Sequence, residues 1–209
     1  MSCRHLFFPE TVKFADTPFN RNISVRRFFR QPTLYVDGLV ESGDILTHIW
    51  KVGITKLIPK HFIPQSILIL GLGGGSNAYW ASRHYPLAQI TAVEIDPLME
   101  KIGRQYFDLH KIKKLKVIID DAINFAKKMT PDTQYDLILV DCFVGKYIPK
   151  KMENLDFLNR LKNHSRYTLI NRIRWFEHHG ATMRFMKSLS TRFVFITTST
   201  ISNLVISLV

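Results

Sequence analysis

Short runs of consecutive apolar residues recur along most of this chain, and helix-like segments separate them. The clearest run is YDLILV, Tyr135–Val140, in which Leu137–Val140 are apolar without alternation. Such a run is typical of a strand that is buried on both faces inside a parallel sheet. Parallel strands need crossover connections, which are usually helical and right-handed. The pattern therefore predicts a doubly wound α/β fold from Ser66 onward.

The same pattern places each element along the chain. The predicted strands are Ser66–Leu70, Gln89–Val93, Leu115–Ile119, Tyr135–Val140, Tyr167–Ile170, Phe193–Ile196 and Leu204–Leu208. The predicted helices between them are Asn77–His84, Pro97–Phe107, Ala122–Met129, Leu155–Leu161 and Phe176–Leu189. No helix fits between the last two strands, so they form an antiparallel hairpin. We predict a Rossmann-like, doubly wound, mostly parallel seven-stranded sheet with a C-terminal antiparallel hairpin strand.

The first 43 residues have a different pattern. Two β-type runs, Ile23–Phe29 and Thr33–Val36, precede the turn signal Asp37-Gly38 and a third short run, Leu39–Glu41. Asp-Gly between apolar runs is a strong hairpin signal. The segment is therefore predicted to form a small N-terminal β-hairpin unit.

An amphipathic helix is predicted to follow this unit. Apolar residues recur at helical spacing from Asp44, which is the expected N-cap, to Pro59, which ends the helix. The change of period at this point divides the chain into two predicted units, residues 1–43 and residues 44–209.

The charge of the chain is strongly basic. Lys and Arg number 29 against 17 for Asp and Glu, which gives a net charge of +12. Residues 146–209 hold 11 basic and 3 acidic residues. This excess is compatible with a nucleic-acid or other anionic partner, and equally with a solvated basic face. The residues that would form a basic patch are Arg160, Lys162, Arg166, Arg172 and Arg174.

The remaining composition excludes several classes of protein. Apolar residues make up 46% and charged residues 22%, which is typical of a folded globular chain. No uncharged apolar stretch is long enough for a membrane span, and the N-terminus shows no export signal. Two distant thiols, Cys3 and Cys142, make neither a disulfide framework nor a zinc-site pattern. We expect a cytoplasmic protein without membrane contact or bound metal.

A glycine-rich loop follows the first buried strand, in the stretch ILILGLGGGSN. The G-x-G-x-x-G pattern of dinucleotide sites nearly fits, but Ser76 stands at the third glycine position. Glycines between a strand and a helix let the backbone approach a ligand, and the helix N-terminus offers free N–H groups. Tight turns also use glycine, so the position of the cluster carries the prediction. The predicted ligand-binding residues are Gly71, Gly73, Gly74 and Gly75.

Acidic residues stand at the ends of the next two strands. Glu94 ends the second strand, where a carboxylate can accept both ribose hydroxyls of a nucleoside. Asp120 and Asp121 follow the third strand. We assign Asp120 to the exocyclic amine of an adenine and Asp121 to the cap of the next helix, although either residue fits the ligand role. Asp96 is predicted to cap a helix.

Asp141 ends the fourth strand, in YDLILVDCFVG. Ligands of open α/β sheets lie outside the carboxyl ends of the strands. A buried strand that delivers a lone carboxylate to that edge predicts a catalytic group, and the alternative is a loop cap. The adjacent Cys142 fits either a reactive thiol or, more commonly, a small buried residue.

These motifs, in this order and spacing, resemble the class I S-adenosylmethionine-dependent transferases, and more closely their spermidine synthase-like branch. The stretches that carry the resemblance are LYVDGLVESGD, ILILGLGGGS, AVEID, the DDA turn and DCFVGKYIPKKMENLDFLNRL. The resemblance implies S-adenosylmethionine or its decarboxylated form as co-substrate, a small-molecule amine acceptor and a homodimer. It also implies that Asp141 is the base or the amine anchor.

The chain departs from the polyamine aminopropyltransferases of this branch at several positions. Those enzymes usually carry an acid where this chain has Gly74, and the resemblance implies that the acid holds the amine of the decarboxylated donor. Val144 replaces a second aspartate, and Glu41 stands where a glutamine is expected. The resemblance therefore leaves aminopropyl transfer and methyl transfer both open. The alternatives outside it are a basic-surfaced RNA methyltransferase and a nucleoside-binding protein without catalysis.

Overall fold

The computed structural model of this protein describes residues 10–28 and 31–209. Cys3 and Phe29, the last residue of the first predicted β-type run, lie outside the described residues. The first described elements form an antiparallel sheet in the order β1-β2-β3-β4. Its strands are β1 Glu10–Lys13, β2 Ser24–Phe28, β3 Gln31–Val36 and β4 Leu39–Ser42. The predicted N-terminal β unit is therefore present and is larger than a single hairpin.

The rest of the described chain alternates strands and helices around a second sheet. The strands are β5 Ser66–Leu70, β6 Gln89–Glu94, β7 Leu115–Ile119, β8 Tyr135–Val140, β9 Ser165–Ile173, β10 Phe195–Ser199 and β11 Asn203–Leu208. The helices are α1 Asp44–Leu57, α2 Ser76–His84, α3 Pro97–Tyr106, α4 Ala122–Lys127, α5 Leu155–Asn163 and α6 Glu177–Leu189. The strand order is β10-β11-β9-β8-β5-β6-β7.

This sheet confirms the predicted architecture. Strands β5 to β9 pair in parallel, and β11 is antiparallel to both β9 and β10. Strand β8, the YDLILV run, lies in the interior between β9 and β5, as its apolar sequence predicts. The carboxyl ends of β5, β6 and β8 therefore meet at one edge of the sheet, where the polar residues that follow these strands come together.

Two apolar clusters cover the two faces of the large sheet. One packs α1 and α2 against the sheet around the fully buried Trp50, and the other packs α4, α5 and α6 around Leu158. A layer of helices on each face satisfies the doubly wound arrangement. None of the helices in residues 10–28 and 31–209 has the length and apolarity needed to cross a membrane.

The start of α1 differs from the prediction. Gly43, and not Asp44, is the N-cap residue, and it makes no side-chain capping bond. Asp44 lies in the first turn, where its charge still favours the positive end of the helix dipole. The helix ends at Leu57, two residues before Pro59, as predicted.

The N-terminal sheet rests on the large domain through α3. Ile23, Val25 and Leu34 from the small sheet share one buried cluster with Met99 and Ile102 of α3. Apolar burial of this kind fixes the small sheet beside the end of β6. The proposed division into units 1–43 and 44–209 follows the two sheets and stays a prediction.

Candidate functional site

A cleft at the carboxyl edge of the large sheet collects most of the residues that the sequence singled out. Predicted site residues that line it are Gly71, Gly73, Glu94, Asp120, Asp121 and Asp141. The small sheet and its loops add Asn20, Val36 and Glu41 to the lining. The position agrees with the rule that ligands of open α/β sheets lie beyond the strand ends. Gly74 and Gly75 do not line the cleft.

Gly71 brings the end of β5 against the end of β8. Its φ is +90°, and a Cβ at this position would lie 2.2 Å from the backbone oxygen of Asp141. Only glycine tolerates both the left-handed conformation and this close approach. The glycine thereby places the loop after β5 beside Asp141.

Gly74 is packed against the small sheet. A Cβ at Gly74 would lie 2.8 Å from Ser42 Cβ and Oγ and 3.1 Å from the Phe107 ring. The Gly74 N–H also donates to Ser42 Oγ at 2.7 Å. Any larger side chain here requires the segment around Ser42 to move. Gly75 faces Leu109 in the same way, away from the cleft.

Ser76, which stands at the third glycine position of the dinucleotide pattern, has its own contact. Its Oγ accepts a hydrogen bond from the Gly43 N–H at 2.7 Å. Together with the bond between Gly74 and Ser42, this contact holds the β4–α1 connection on the glycine loop. Glu41 lies on β4 directly before this connection, so its position in the cleft depends on both bonds.

Glu94 anchors the glycine loop from the end of β6. One carboxylate oxygen accepts from Leu72 N at 2.9 Å and Gly73 N at 3.0 Å, and the other accepts from Asp96 N at 2.9 Å. The side chain is buried, and burial raises its pKa although these three backbone donors oppose the shift. An ionised carboxylate has about four acceptor sites, so capacity remains for a ligand hydroxyl.

Asp141 is held by neutral side-chain donors. Its Oδ1 accepts from Asn171 Nδ2 at 2.8 Å, and its Oδ2 accepts from Trp50 Nε1 at 2.9 Å and Asn77 Nδ2 at 3.5 Å. Asn171 in turn accepts from Asn203. Burial raises the pKa of Asp141, and these donors only partly offset the rise. The three donors thus orient the carboxylate and leave its charge available to a cationic ligand.

The sequence indicates Glu41 only as an acid at an expected glutamine position that could take over from the acid missing at Gly74, and the structure places it in the lining of the cleft. Burial, followed by the charges of Asp141 and Glu94, raises its pKa from 4.5 to about 8. Glu41, Glu94 and Asp141 therefore place three carboxyl groups near one another in a cleft that Asp120 and Asp121 also line, an arrangement that favours a cationic ligand. The sequence signal was the glutamate at an expected glutamine position, but only the contacts with the glycine loop show that it reaches the cleft.

Asp120 and Asp121 occupy the side of the cleft near α4. Asp121 caps α4 by accepting from Ile123 N at 2.8 Å and Asn124 N at 3.2 Å, which confirms its predicted capping. Burial opposes ionisation of Asp121, but the ion pair with Lys151 and these N–H groups leave its pKa lowered. A hydrogen bond from Lys128 lowers the pKa of Asp120. Asp96 also caps its helix, through Leu98 N.

Comparison with known protein families shows which family this chain belongs to. The spermine/spermidine synthase domain matches residues 49–168, more than half of the chain. The chain belongs to the spermine/spermidine synthase domain family. The match contains the glycine loop, Glu94 and Asp141, so most of the cleft lining lies within the family domain.

Similar proteins of known activity include methyltransferases and aminopropyltransferases. The eEF1A lysine and N-terminal methyltransferase homolog of Drosophila melanogaster is 39% identical over 133 residues, 63% of this chain and 18% of the relative. The polyamine aminopropyltransferase of Vibrio vulnificus is 38% identical over 100 residues, 47% of this chain and 33% of the relative. The chain thus spans a third or less of the length of either relative.

Solved structures confirm the fold of the domain. Spermidine synthase from Thermotoga maritima has a TM-score of 0.71 at 13% identity, and the match covers 97% of this chain and 71% of the Thermotoga chain. Human methyltransferase-like protein 13 in complex with SAH has a TM-score of 0.65 at 23% identity, and the match covers 78% of this chain and 81% of the human chain. At these identities the likeness concerns the fold alone.

Cys142 lines the cleft of this family domain but does not fit a reactive thiol. Burial is the main cause that raises the pKa of its thiol, and the nearby Glu94 and Asp141 add to the shift. A thiol must ionise to act as a nucleophile, and these surroundings oppose ionisation. The structure favours the alternative of a small residue that packs between the cleft and the core.

The suggested basic patch does not form one surface. Arg172 is 3% exposed, pairs with Glu153 at 2.7 Å and lies over the Phe185 ring. Arg166 lies at the start of β9 and Arg174 follows its end, on the order of 25 Å apart at the usual rise per strand residue. Arg166, Arg172 and Arg174 therefore do not form one continuous basic patch.

Proposed function

We propose that this chain is a methyltransferase that uses intact S-adenosylmethionine and methylates an amine of a protein. The packing of Gly74 against Ser42 and Phe107 carries the proposal. Because this packing leaves no room for the acid that aminopropyltransferases place in the loop, the residue that would repel the carboxylate of intact S-adenosylmethionine is missing. The relatives named eEF1A lysine and N-terminal methyltransferase support a protein amine as the acceptor.

The lining residues fit a nucleoside with a positive charge. We assign the remaining acceptor site of Glu94 to a ribose hydroxyl and Asp120 to the adenine amine, and the apolar residues Ile95 and Ala122 line the same cleft. Glu41 adds a third carboxyl group, near enough to Glu94 and Asp141 for their charges to raise its pKa. When bound, S-adenosylmethionine supplies a methyl carbon made electrophilic by its sulfonium.

Asp141 is the proposed acceptor-side group. An amine reacts only in its unprotonated form, so a carboxylate near it must attract the ammonium and take its proton. The raised pKa of Asp141 makes its carboxylate a stronger base and so a better acceptor for the proton of the amine. Trp50 and Asn171 fix the orientation of the carboxylate, which reduces the entropy lost when the carboxylate and the amine are aligned for reaction.

A second candidate is aminopropyl transfer to a polyamine, and Glu41 is the observation that favours it. An acid in the cleft at Glu41 could take over the role of the acid missing at Gly74. Both candidates use the same nucleoside site, and they differ in which carbon of the donor is transferred and to which amine.

Donors labelled in the transferred group separate these candidates. Purified protein is incubated with methyl-labelled S-adenosylmethionine or aminopropyl-labelled decarboxylated donor, each with a lysine-containing peptide that has a free N-terminus, or with spermidine. We expect label on peptide amines from the methyl donor only. Label on spermidine from the decarboxylated donor, with none on the peptides, would establish the second candidate instead.

The raised pKa of Glu41 predicts proton release on donor binding. At neutral pH most of the Glu41 carboxyl is protonated, and a nearby sulfonium favours its ionised form. Affinity for S-adenosylmethionine should therefore rise as the pH increases toward about 8, with protons released to the buffer. Calorimetry in two buffers of different ionisation enthalpy measures the release, and Glu41→Gln should remove most of it.

The neutral thioether S-adenosylhomocysteine provides the control for charge. Its binding should release fewer protons than the binding of S-adenosylmethionine to the wild type. Equal proton release from wild type and Glu41→Gln would exclude this role for Glu41.

The raised pKa of Glu41 also predicts how the stability of the fold depends on pH. Since the folded-state pKa lies above the ordinary value of 4.5, the free energy of unfolding falls as the pH rises from 4.5 to about 8.

A further inference from the structure

Three aromatic side chains are exposed at the carboxyl edge of the large sheet. Tyr147, Trp175 and Phe176 are 57%, 43% and 88% exposed, and we name them the aromatic lip. Tyr147 follows β8, and Trp175 and Phe176 follow β9 and lead into α6. Exposed aromatic groups that share one edge of a protein are typical of interaction sites.

The aromatic lip is connected directly to the cleft. Val144, which lines the cleft, exchanges both backbone hydrogen bonds with Tyr147. Lys146 pairs with Glu177 at 2.8 Å, which ties the loop after β8 to the start of α6. The rings of Tyr147 and His178 lie 5.9 Å apart. The lip therefore borders the side of the cleft on which Asp141 lies.

The backbone at Phe176 is strained in a way that exposes the ring. Phe176 has φ 47° and ψ −128°, a conformation that is rare for a bulky residue. Its ring contacts Trp175 edge-on, with centroids 5.9 Å apart. Strain of this kind persists where the surrounding structure imposes it, and it clusters at functional sites. A residue that is both strained and exposed does not serve the core.

The interior of the cleft is acidic, and the rim that carries the aromatic lip is basic. The interior holds the three carboxyl groups of Glu41, Glu94 and Asp141. The segments that carry the lip hold more cations than anions, namely Lys146, Lys150, Lys151 and Arg174 against Glu153 and Glu177. Arg172 does not contribute to this rim, because it is buried and paired with Glu153. A basic rim repels a free polyamine, which carries positive charge along its whole length. It favours an acceptor with one cationic end and an acidic or neutral body.

We propose that the aromatic lip docks a polypeptide whose terminal or lysine amine enters the cleft and whose neighbouring residues are acidic and apolar. The inference rests on the proposed function and extends it to the partner surface. Aromatic side chains in such positions commonly dominate binding, because they bury large area with few rotatable bonds. The basic rim orients the acidic residues of the partner, and the acidic interior selects its amine.

Peptide binding tests the lip without a need for turnover. We compare two fluorescent peptides with free N-termini, one with acidic and aromatic residues next to the amine and one with lysines at the acidic positions, by anisotropy in the presence of S-adenosylhomocysteine. Wild type should bind the acidic peptide more tightly, and high salt should weaken that binding. Phe176→Gly, which suits the positive φ, and Trp175→Ser should each weaken it about tenfold or more.

Leu87→Ser is the matched control, because Leu87 is 67% exposed and lies before β6 at the opposite edge of the sheet. It should bind the peptide as the wild type does. Lip variants that retain wild-type affinity, or a wild type that binds neither peptide or prefers the lysine peptide, would overturn the docking surface. The labelled-donor experiment separates this outcome from failure of the proposed function, which would show as no methyl transfer from S-adenosylmethionine to any peptide amine by the wild type.

Discussion

Asp141→Asn should still fold and should lose turnover by about 10²- to 10⁴-fold, the usual value of acid–base assistance. The substitution keeps the shape of the side chain and removes the charge that attracts the acceptor ammonium and accepts its proton. The new amide keeps one oxygen, which can accept from Asn171 or from Trp50 but not from both, so one buried donor loses its acceptor and the free energy of unfolding should fall by about 1–3 kcal/mol. Turnover is measured with the methyl donor and the best acceptor peptide, and folding by thermal melting.

Asp136→Asn provides the matched control for this prediction. Asp136 lies on the same strand, β8, at its amino end, and accepts hydrogen bonds from Gln65 and Ser66 outside the cleft. The same chemical change there should leave turnover unchanged. If Asp141→Asn turns over as fast as Asp136→Asn, Asp141 has only the structural role that its three hydrogen bonds suggest.

Glu94→Gln should weaken S-adenosylmethionine binding by about 1.5–3 kcal/mol, the value of one charge-assisted hydrogen bond to a ribose hydroxyl. The structure adds a second cause. The amide of Gln keeps one acceptor oxygen and places an NH2 group at the other, so either the bonds from Leu72 and Gly73 or the bond from Asp96 are lost. We therefore expect both weaker binding in calorimetry and a lower melting temperature.

Glu100→Gln is the comparison variant for Glu94. Glu100 lies on α3 and pairs with Arg104 on the surface, so its loss should change neither donor affinity nor stability by more than about a few tenths of a kcal/mol. Donor affinity in Glu94→Gln equal to that in Glu100→Gln would remove Glu94 from the binding site and leave it as an anchor of the loop.

The sequence was sufficient for the architecture of the sheet. The YDLILV run has too few polar residues for an edge strand, so its interior position follows from the hydrophobic effect alone. The strand–glycine–helix order places the loop at the carboxyl edge, and Gly71 confirms this by its close approach to Asp141. These features are local in sequence, which is why pattern analysis recovers them.

The parts of the site that the sequence did not predict depend on contacts between distant segments. Trp50 reaches Asp141 from 91 positions away, and Glu41 enters the cleft because Ser42 and Gly43 bind the glycine loop. The expected cap at Asp44 failed for a similar reason, since Gly43 is fixed by Ser76. Arg172 looked like a surface cation but is buried beside Glu153. No short-range pattern encodes these pairings.

The affinities of intact and decarboxylated S-adenosylmethionine for the wild-type protein test the central claim most directly. Titration calorimetry with each donor, under the same salt and pH, measures the difference that the missing acid at Gly74 should make. The account predicts that the intact donor binds at least as tightly as the decarboxylated one. A strong preference for the decarboxylated donor would contradict it and would assign the role of the missing acid to Glu41 and the activity to aminopropyl transfer.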